Sequence, residues 1–135
     1  MGFGSISIED RLHILDLMAR YNHLFEEGRA EEWAQTFIED GEFSGPAGNA
    51  KGFEQLAKLC LETVDRFPVA LHFTDHHLLE RDGEKIKHRC LLSVQFPKKG
   101  DTGVLIYRYR DVLVRDGAEW KFESREVVSA DTIGP

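Results

Sequence analysis

At 135 residues, with 41% hydrophobic and 30% charged residues, the chain has the length and balance of one globular domain and is not dominated by disorder. Its formal charge of −7 and pI near 5.3 exclude the sequence-independent attraction to phosphate backbones on which nucleic-acid binders rely. No apolar run reaches the ~20 residues of a bilayer-spanning helix, and the N-terminal MGFGSISIED lacks the basic start and apolar core of a secretory signal. A cytoplasmic protein without nucleic-acid or membrane partners is therefore expected.

No linker or repeat divides residues 1–135, so a single domain is predicted. Ser7, with Asp10 three residues on, reads as a helix N-cap. Ile8, Leu12, Leu15, Met18 and Ala19 then recur at helical spacing until Gly28 stops a long first helix. A second helix is predicted from about Ala30, with Trp33 and Phe37 four apart on one face and Asp40-Gly41 at its end. Glu42–Ser44 has the character of a short strand, followed by the loop GPAGNAKG. Phe53, Leu56, Leu59, Cys60, Thr63 and Val64 mark a third helix that stops at Phe67-Pro68. From Val69 the period changes to two, with turn signals at Asp82-Gly83, Lys98 to Gly103 and Asp116-Gly117. Four strands follow: Val69–Arg81, Lys85–Phe96, Val104–Arg115 and Glu119 to about Val128. Short turns make them an antiparallel meander, and the helices must cover one face. The predicted fold is α+β, a curved antiparallel sheet wrapped over three N-terminal helices and enclosing a small-molecule cavity.

Cys60 and Cys90 each lie in an apolar run and read as reduced core thiols. His72, Asp75, His76 and His77 have the residue types of a metal site. In a regular strand, however, His72 and His76 lie about 13 Å apart along one face and His77 points to the other. No metal is expected from them. His76 is placed near the cavity mouth, and His13, His77 and His88 at the surface or an interface. Arg108 and Arg110 alternate with Tyr107, Tyr109 and Asp111, which makes one face of that strand basic and the other aromatic.

Three stretches carry a family resemblance: LMARYNHLFEEGRAEEWAQTFIEDGEF, VALHFTDHHLLERDGE and YRYRDVLVRDGAEWKFESR. Their order and spacing over residues 8–128 resemble the SnoaL-like branch of the nuclear transport factor 2-like superfamily, a cone-shaped α+β fold. The resemblance implies acid–base chemistry without metal or cofactor, as in scytalone dehydratase, bile-acid dehydratase, hexachlorocyclohexane dehydrochlorinase and the ketosteroid isomerases. It also implies a homodimer formed through the outer sheet face. Carried over by position, the family's Tyr falls on Tyr21, its acid on Glu26, its pocket histidine on His72 and its late arginine on Arg125. The family's usual Asp is Glu26 here, and a further pocket position, often His or Asp, falls near Gln95.

Imidazole titrates near neutral pH, so a cavity-facing His72 can take and return a proton, and a carboxylate beside it would orient the ring. Glu26 is the candidate orienter, with Glu27 as its rival. Tyr21 could steady an oxyanion. Tyr21 and Glu26 lie about 140° apart on an ideal helix, so a shared pocket asks for a distorted helix end. Arg125 could bind an anionic substrate group or pair with Glu26, and His76 and Gln95 are the other candidate substrate contacts. Two functions fit these residues: a lyase or isomerase acting on a small hydrophobic carbonyl or polyketide-like molecule, or a non-catalytic binding or partner-subunit domain like the small subunits of ring-hydroxylating dioxygenases, with His72 a packed core residue.

Overall fold

The computed structural model describes residues 5–99 and 103–135. Its elements run α1 (Ile8–Glu26), α2 (Ala30–Ala34), β1 (Phe37–Gly45), β2 (Gly48–Lys51), α3 (Phe53–Arg66), β3 (Leu71–Asp82), β4 (Lys85–Gln95), β5 (Val104–Asp116) and β6 (Glu119–Ser129). A 3-10 turn, Pro97–Lys99, follows β4. Gly100 to Thr102 of the predicted turn lie outside the described residues.

Capping sets the limits of α1. Ser7 Oγ accepts the Asp10 backbone N–H at 3.0 Å, satisfying one of the free donors of the first turn, a contact typically worth about 1 kcal/mol. At the other end Gly28 takes φ +70°, a left-handed conformation that ends helices and that side-chain-bearing residues adopt at a cost. The buried stripe of α1 is Ile14, Leu17, Met18 and Tyr21. Of the apolar positions predicted to face the core, only Met18 does so. Ile8, Leu12 and Leu15 are exposed, because the helix carries two apolar stripes and the sheet packs on the other one.

The second predicted helix is shorter than its i, i+4 aromatic pair suggested. α2 closes at Ala34, and Phe37 opens β1, which pairs in parallel with β6. Between Phe37 and Glu42 the β1 register shifts, and Gly41 occupies the bend, where a Cβ would lie 2.7 Å from that of Phe37. The GPAGNAKG segment is not all loop, since β2 forms a hairpin with β1 (Glu42↔Lys51 to Gly45↔Gly48). The meander β3–β6 is antiparallel throughout, and the six strands lie in the order β2-β1-β6-β5-β4-β3. The sheet is thus mixed rather than purely antiparallel, curved and unclosed over the helices.

Aromatic rings fill the core. Tyr21, Trp33, Phe37 and Phe122 pack at centroid distances of 5.2 to 6.3 Å, tilted or edge-to-face, the arrangement that ring quadrupoles favour.

β3 contains the departure that matters most for the site. Asp75 pairs with Leu91, but Leu78 pairs with Arg89, so β3 carries one extra residue there, and His76 takes φ +60°. This bulge resets the alternation of the strand. His72, Thr74 and, beyond the bulge, His77 and Leu79 are the less exposed residues, while His76 turns to solvent.

Candidate active site

Glu26, the last residue of α1, reaches β3. Its Oε2 accepts the backbone N–H of His72 and lies 3.2 Å from the ring Nδ1. A carboxylate accepts only, so the neutral imidazole carries its proton on Nδ1 and leaves Nε2 as a bare lone pair. The ring is fixed further by the edge-to-face contact of Phe25 at 5.3 Å. Both partners are largely buried, with side-chain exposures of 13% for His72 and 20% for Glu26. Glu27 instead pairs with Arg29 at the surface, at 3.2 Å.

The dyad lines a cavity of about 210 Å³. Apolar walls come from Phe25, Phe43, Leu92, Val94, Phe96 and Val127, and the phenols of Tyr21, Tyr107 and Tyr109 share it. α1 stays helical through Glu26, so the expected distortion of its end does not occur. Tyr21 and Phe25 face the cavity, whereas Glu26 stands at its border and also lines a groove on the far side of the helix. This position reconciles the 140° separation with a shared site.

The Tyr21 phenol is fully buried. Burial pushes its pKa above the ordinary 10, against the opposing charge of Arg125, whose guanidinium lies 4.4 Å from its ring centroid. Burial raises Tyr109 further still. Both phenols therefore remain protonated and can donate.

Three predicted substrate contacts lie elsewhere. Arg125 does not reach Glu26 or line this cavity: its Nε and one terminal nitrogen donate to Asp111 at 2.8 and 3.0 Å, and its guanidinium lies 3.4 Å from the Tyr109 ring centroid. His76 is exposed and pairs with Asp75 at 3.4 Å, because the bulge turns it outward. Gln95 is exposed at the end of β4, where the alternation gives the cavity to Val94 and Phe96.

Sequence reasoning missed a second polar cluster. His88, expected at the surface, is 1% exposed in the core, and its Nδ1 lies 2.6 Å from Asp111. Its Nε2 lies 2.9 Å from His77 Nδ1. The readable signal was the inward row Ile86, His88, Cys90, Leu92, Val94, in which His88 is the one imidazole among apolar side chains and a thiol. Donor atoms of His77, His88 and Cys90 fall within 4.8 Å of one another. The two imidazoles there share a hydrogen bond, so their nitrogens are not both free to converge on an ion, and burial pushes the Cys90 thiol up to about 12, away from the thiolate a metal needs. Cys60 is likewise free, buried and pushed up to about 11 by burial.

Arg108 and Arg110, on the outer row of β5, donate to the carbonyls of Ala130 and Gly134 at 2.7 and 3.0 Å and so hold the C-terminal segment to the sheet. Among the described residues no helix is long and apolar enough to cross a membrane.

Comparison with known proteins agrees with this architecture. A protein of unknown function with a cystatin-like fold from Nostoc punctiforme superposes with a TM-score of 0.82 at 22% identity, covering 93% of this chain and 96% of that one. A nuclear transport factor 2-like protein from Novosphingobium aromaticivorans gives 0.80 at 27% identity, covering 94% and 86%. A scytalone dehydratase-like protein from the same organism gives 0.77 at 21%, covering 95% and 97%. No curated protein matches the sequence significantly. The model of the SnoaL-like domain matches residues 7–126, from the cap of α1 into β6, and with helices, sheet and cavity in that order the chain belongs to the SnoaL-like domain family of the nuclear transport factor 2-like superfamily.

Proposed function

We propose that the chain is a cofactor-independent acid–base lyase or isomerase, dehydratase-like, acting on a small hydrophobic carbonyl compound or polyketide-like molecule. The observation that supports it is the His72–Glu26 pair at 3.2 Å on the wall of an apolar cavity of about 210 Å³. His72 Nε2 takes a proton from the carbon next to the substrate carbonyl, and Glu26 stabilises the imidazolium that forms. The electron pair moves to the carbonyl oxygen, where the Tyr21 O–H donates to the oxyanion. The Arg125 guanidinium, 4.4 Å from the Tyr21 ring centroid, and the Tyr109 ring, edge-to-face at 6.1 Å, pack against Tyr21 and hold that donor in place. The enolate then either expels a β-hydroxyl, which leaves as water with the proton returned by the His72 imidazolium, giving the dehydratase outcome, or takes that proton back at another carbon, giving the isomerase outcome.

Two copies pair through the outer sheet face, where Phe73, Leu78 and Ile106 remain exposed. The test of the activity is exchange of α-protons of a cyclic enone in deuterium oxide, followed by NMR. Exchange is expected with the intact chain and not with His72→Ala. Equal exchange by both would leave the cavity as a binding site only.

A further inference from the structure

The mechanism above leaves unused the polar cluster beyond the bulge. His88, Asp111 and Arg125 are 1%, 4% and 1% exposed, whereas His77 is only half-buried. The proton positions along this chain follow from what each atom can do. Asp111 accepts from Arg125 at 2.8 and 3.0 Å and from His88 Nδ1 at 2.6 Å, so a neutral His88 carries its proton on Nδ1. His88 Nε2 must then accept, and the proton of the 2.9 Å contact belongs to His77 Nδ1. His77 is left with a bare Nε2. Burial, with the neighbouring His88 and Arg125, lowers the pKa of His77 and favours this neutral form, against the Thr74 backbone carbonyl and Asp75, which raise it.

His77 lines the groove between α1 and β3, together with Met18, Asn22 and Glu26 of the helix and His72 and Thr74 of the strand. The Oδ1 of Asn22 is buried there without a hydrogen-bond partner. A buried acceptor left unpaired is costly, and a ligand's donor can satisfy it. The groove is distinct from the apolar cavity, with the Glu26–His72 pair standing between them.

We propose that His77, positioned by His88 and Asp111, is a hydrogen-bond acceptor serving this groove, and that the groove takes a small hydroxyl-bearing molecule such as a vicinal diol. One hydroxyl donates its O–H to the bare His77 Nε2, while the Nδ1–H of the same ring is held by His88 Nε2. The second hydroxyl donates to Asn22 Oδ1. His88 and Asp111 are positioning residues. The His76 bulge is what turns His77 into the groove, an instance of a strained backbone supporting a functional geometry.

The test uses the full chain and three measurements. Diethyl pyrocarbonate acylates bare imidazole nitrogen, and peptide mass spectrometry resolves each histidine. His77 should acquire one adduct, about tenfold more slowly in His88→Gln, while the exposed His13 and His23 react at unchanged rates as internal controls. His77 reacting equally fast in both proteins, or failing to react while the controls do, overturns the proposal. Long-range 1H–15N NMR on the unaltered chain decides the matter even if His88→Gln does not fold: both His77 and His88 should carry Nδ1–H, and an Nε2–H tautomer at His77 overturns it. Titration with cyclohexane-1,2-diol should move the His77 and Asn22 side-chain resonances saturably and leave His13 unmoved. A shift at neither residue overturns the diol assignment. All three readouts are independent of the reaction proposed for His72.

Discussion

Glu26 and His72, 46 residues apart in sequence, meet twice: one carboxylate oxygen accepts both the backbone N–H and the ring Nδ1 of the histidine. The double contact ties the C-terminal end of α1 to the start of β3 and at the same time fixes the tautomer of the ring. Removing the imidazole by His72→Ala leaves the backbone contact in place. Turnover of a true substrate should fall ~100- to 10,000-fold, as is typical for loss of a general base, with little change in melting temperature. A lowered melting temperature with an unchanged rate, corresponding to about 1–3 kcal/mol of lost stability, would identify His72 as a packing residue.

Asp111→Ala tests the core ion pair. Arg125 would be left fully buried without its counter-charge, its guanidinium confined by Tyr21, Tyr109 and Phe122. Loss of one member of a buried pair typically costs about 3–5 kcal/mol, which chemical denaturation should register as a lowered midpoint. A change below about 1 kcal/mol would mean that Arg125 escapes to solvent.

Acid should weaken the fold in two stages of the same sign. His77 is held below its ordinary 6.5, chiefly by burial, so the unfolded chain binds that proton more readily. Its contribution is complete above about pH 6.5 and is lost as pH falls through the folded-state value. Asp111 is held below its ordinary 3.8: burial alone would raise it, but the Arg125 charge and the hydrogen bond from His88 prevail. Its contribution is complete above about pH 3.8 and is lost on further acidification. Thermal melts across pH 7 to 3 should show both stages, and His77→Gln should remove the earlier one alone.

The outer sheet face should set the oligomeric state. Light scattering on the intact chain should give the mass of two copies, and Phe73→Lys, which places a charge on that face, should give one. A monomeric intact chain would show that Phe73, Leu78 and Ile106 are ordinary surface residues.

The helices and the meander were readable because their periodicities, 3.6 and then 2, persist over many residues. α3 and the four long strands lie within one to two residues of expectation. β2 was not readable, since GNAK has no alternation and becomes a strand only by pairing with β1. Phe37 misled through its four-residue spacing from Trp33, which satisfies a helix and a helix-to-strand turn equally well. The sequence did bring His72, Glu26 and Tyr21 forward as a set, through family position. It could not place His76 and His77, because their sides of the strand depend on a bulge that no glycine marks. Arg125 was singled out, with an anionic substrate group or Glu26 as its candidate partner, whereas Asp111 faces it across the β5–β6 pair, at a register position that becomes legible only once those strands are aligned.

The bulge in β3 also bears on how the molecule avoids its own kind. β3 is an outermost strand of the sheet, with one row of backbone donors and acceptors open to another chain. A regular twelve-residue edge would be a template for open-ended strand addition. The extra residue at His76 breaks the repeat midway, and charged Asp75 and exposed His76 project there. An incoming strand would lose register after a few residues, which opposes growth of a fibre along this edge.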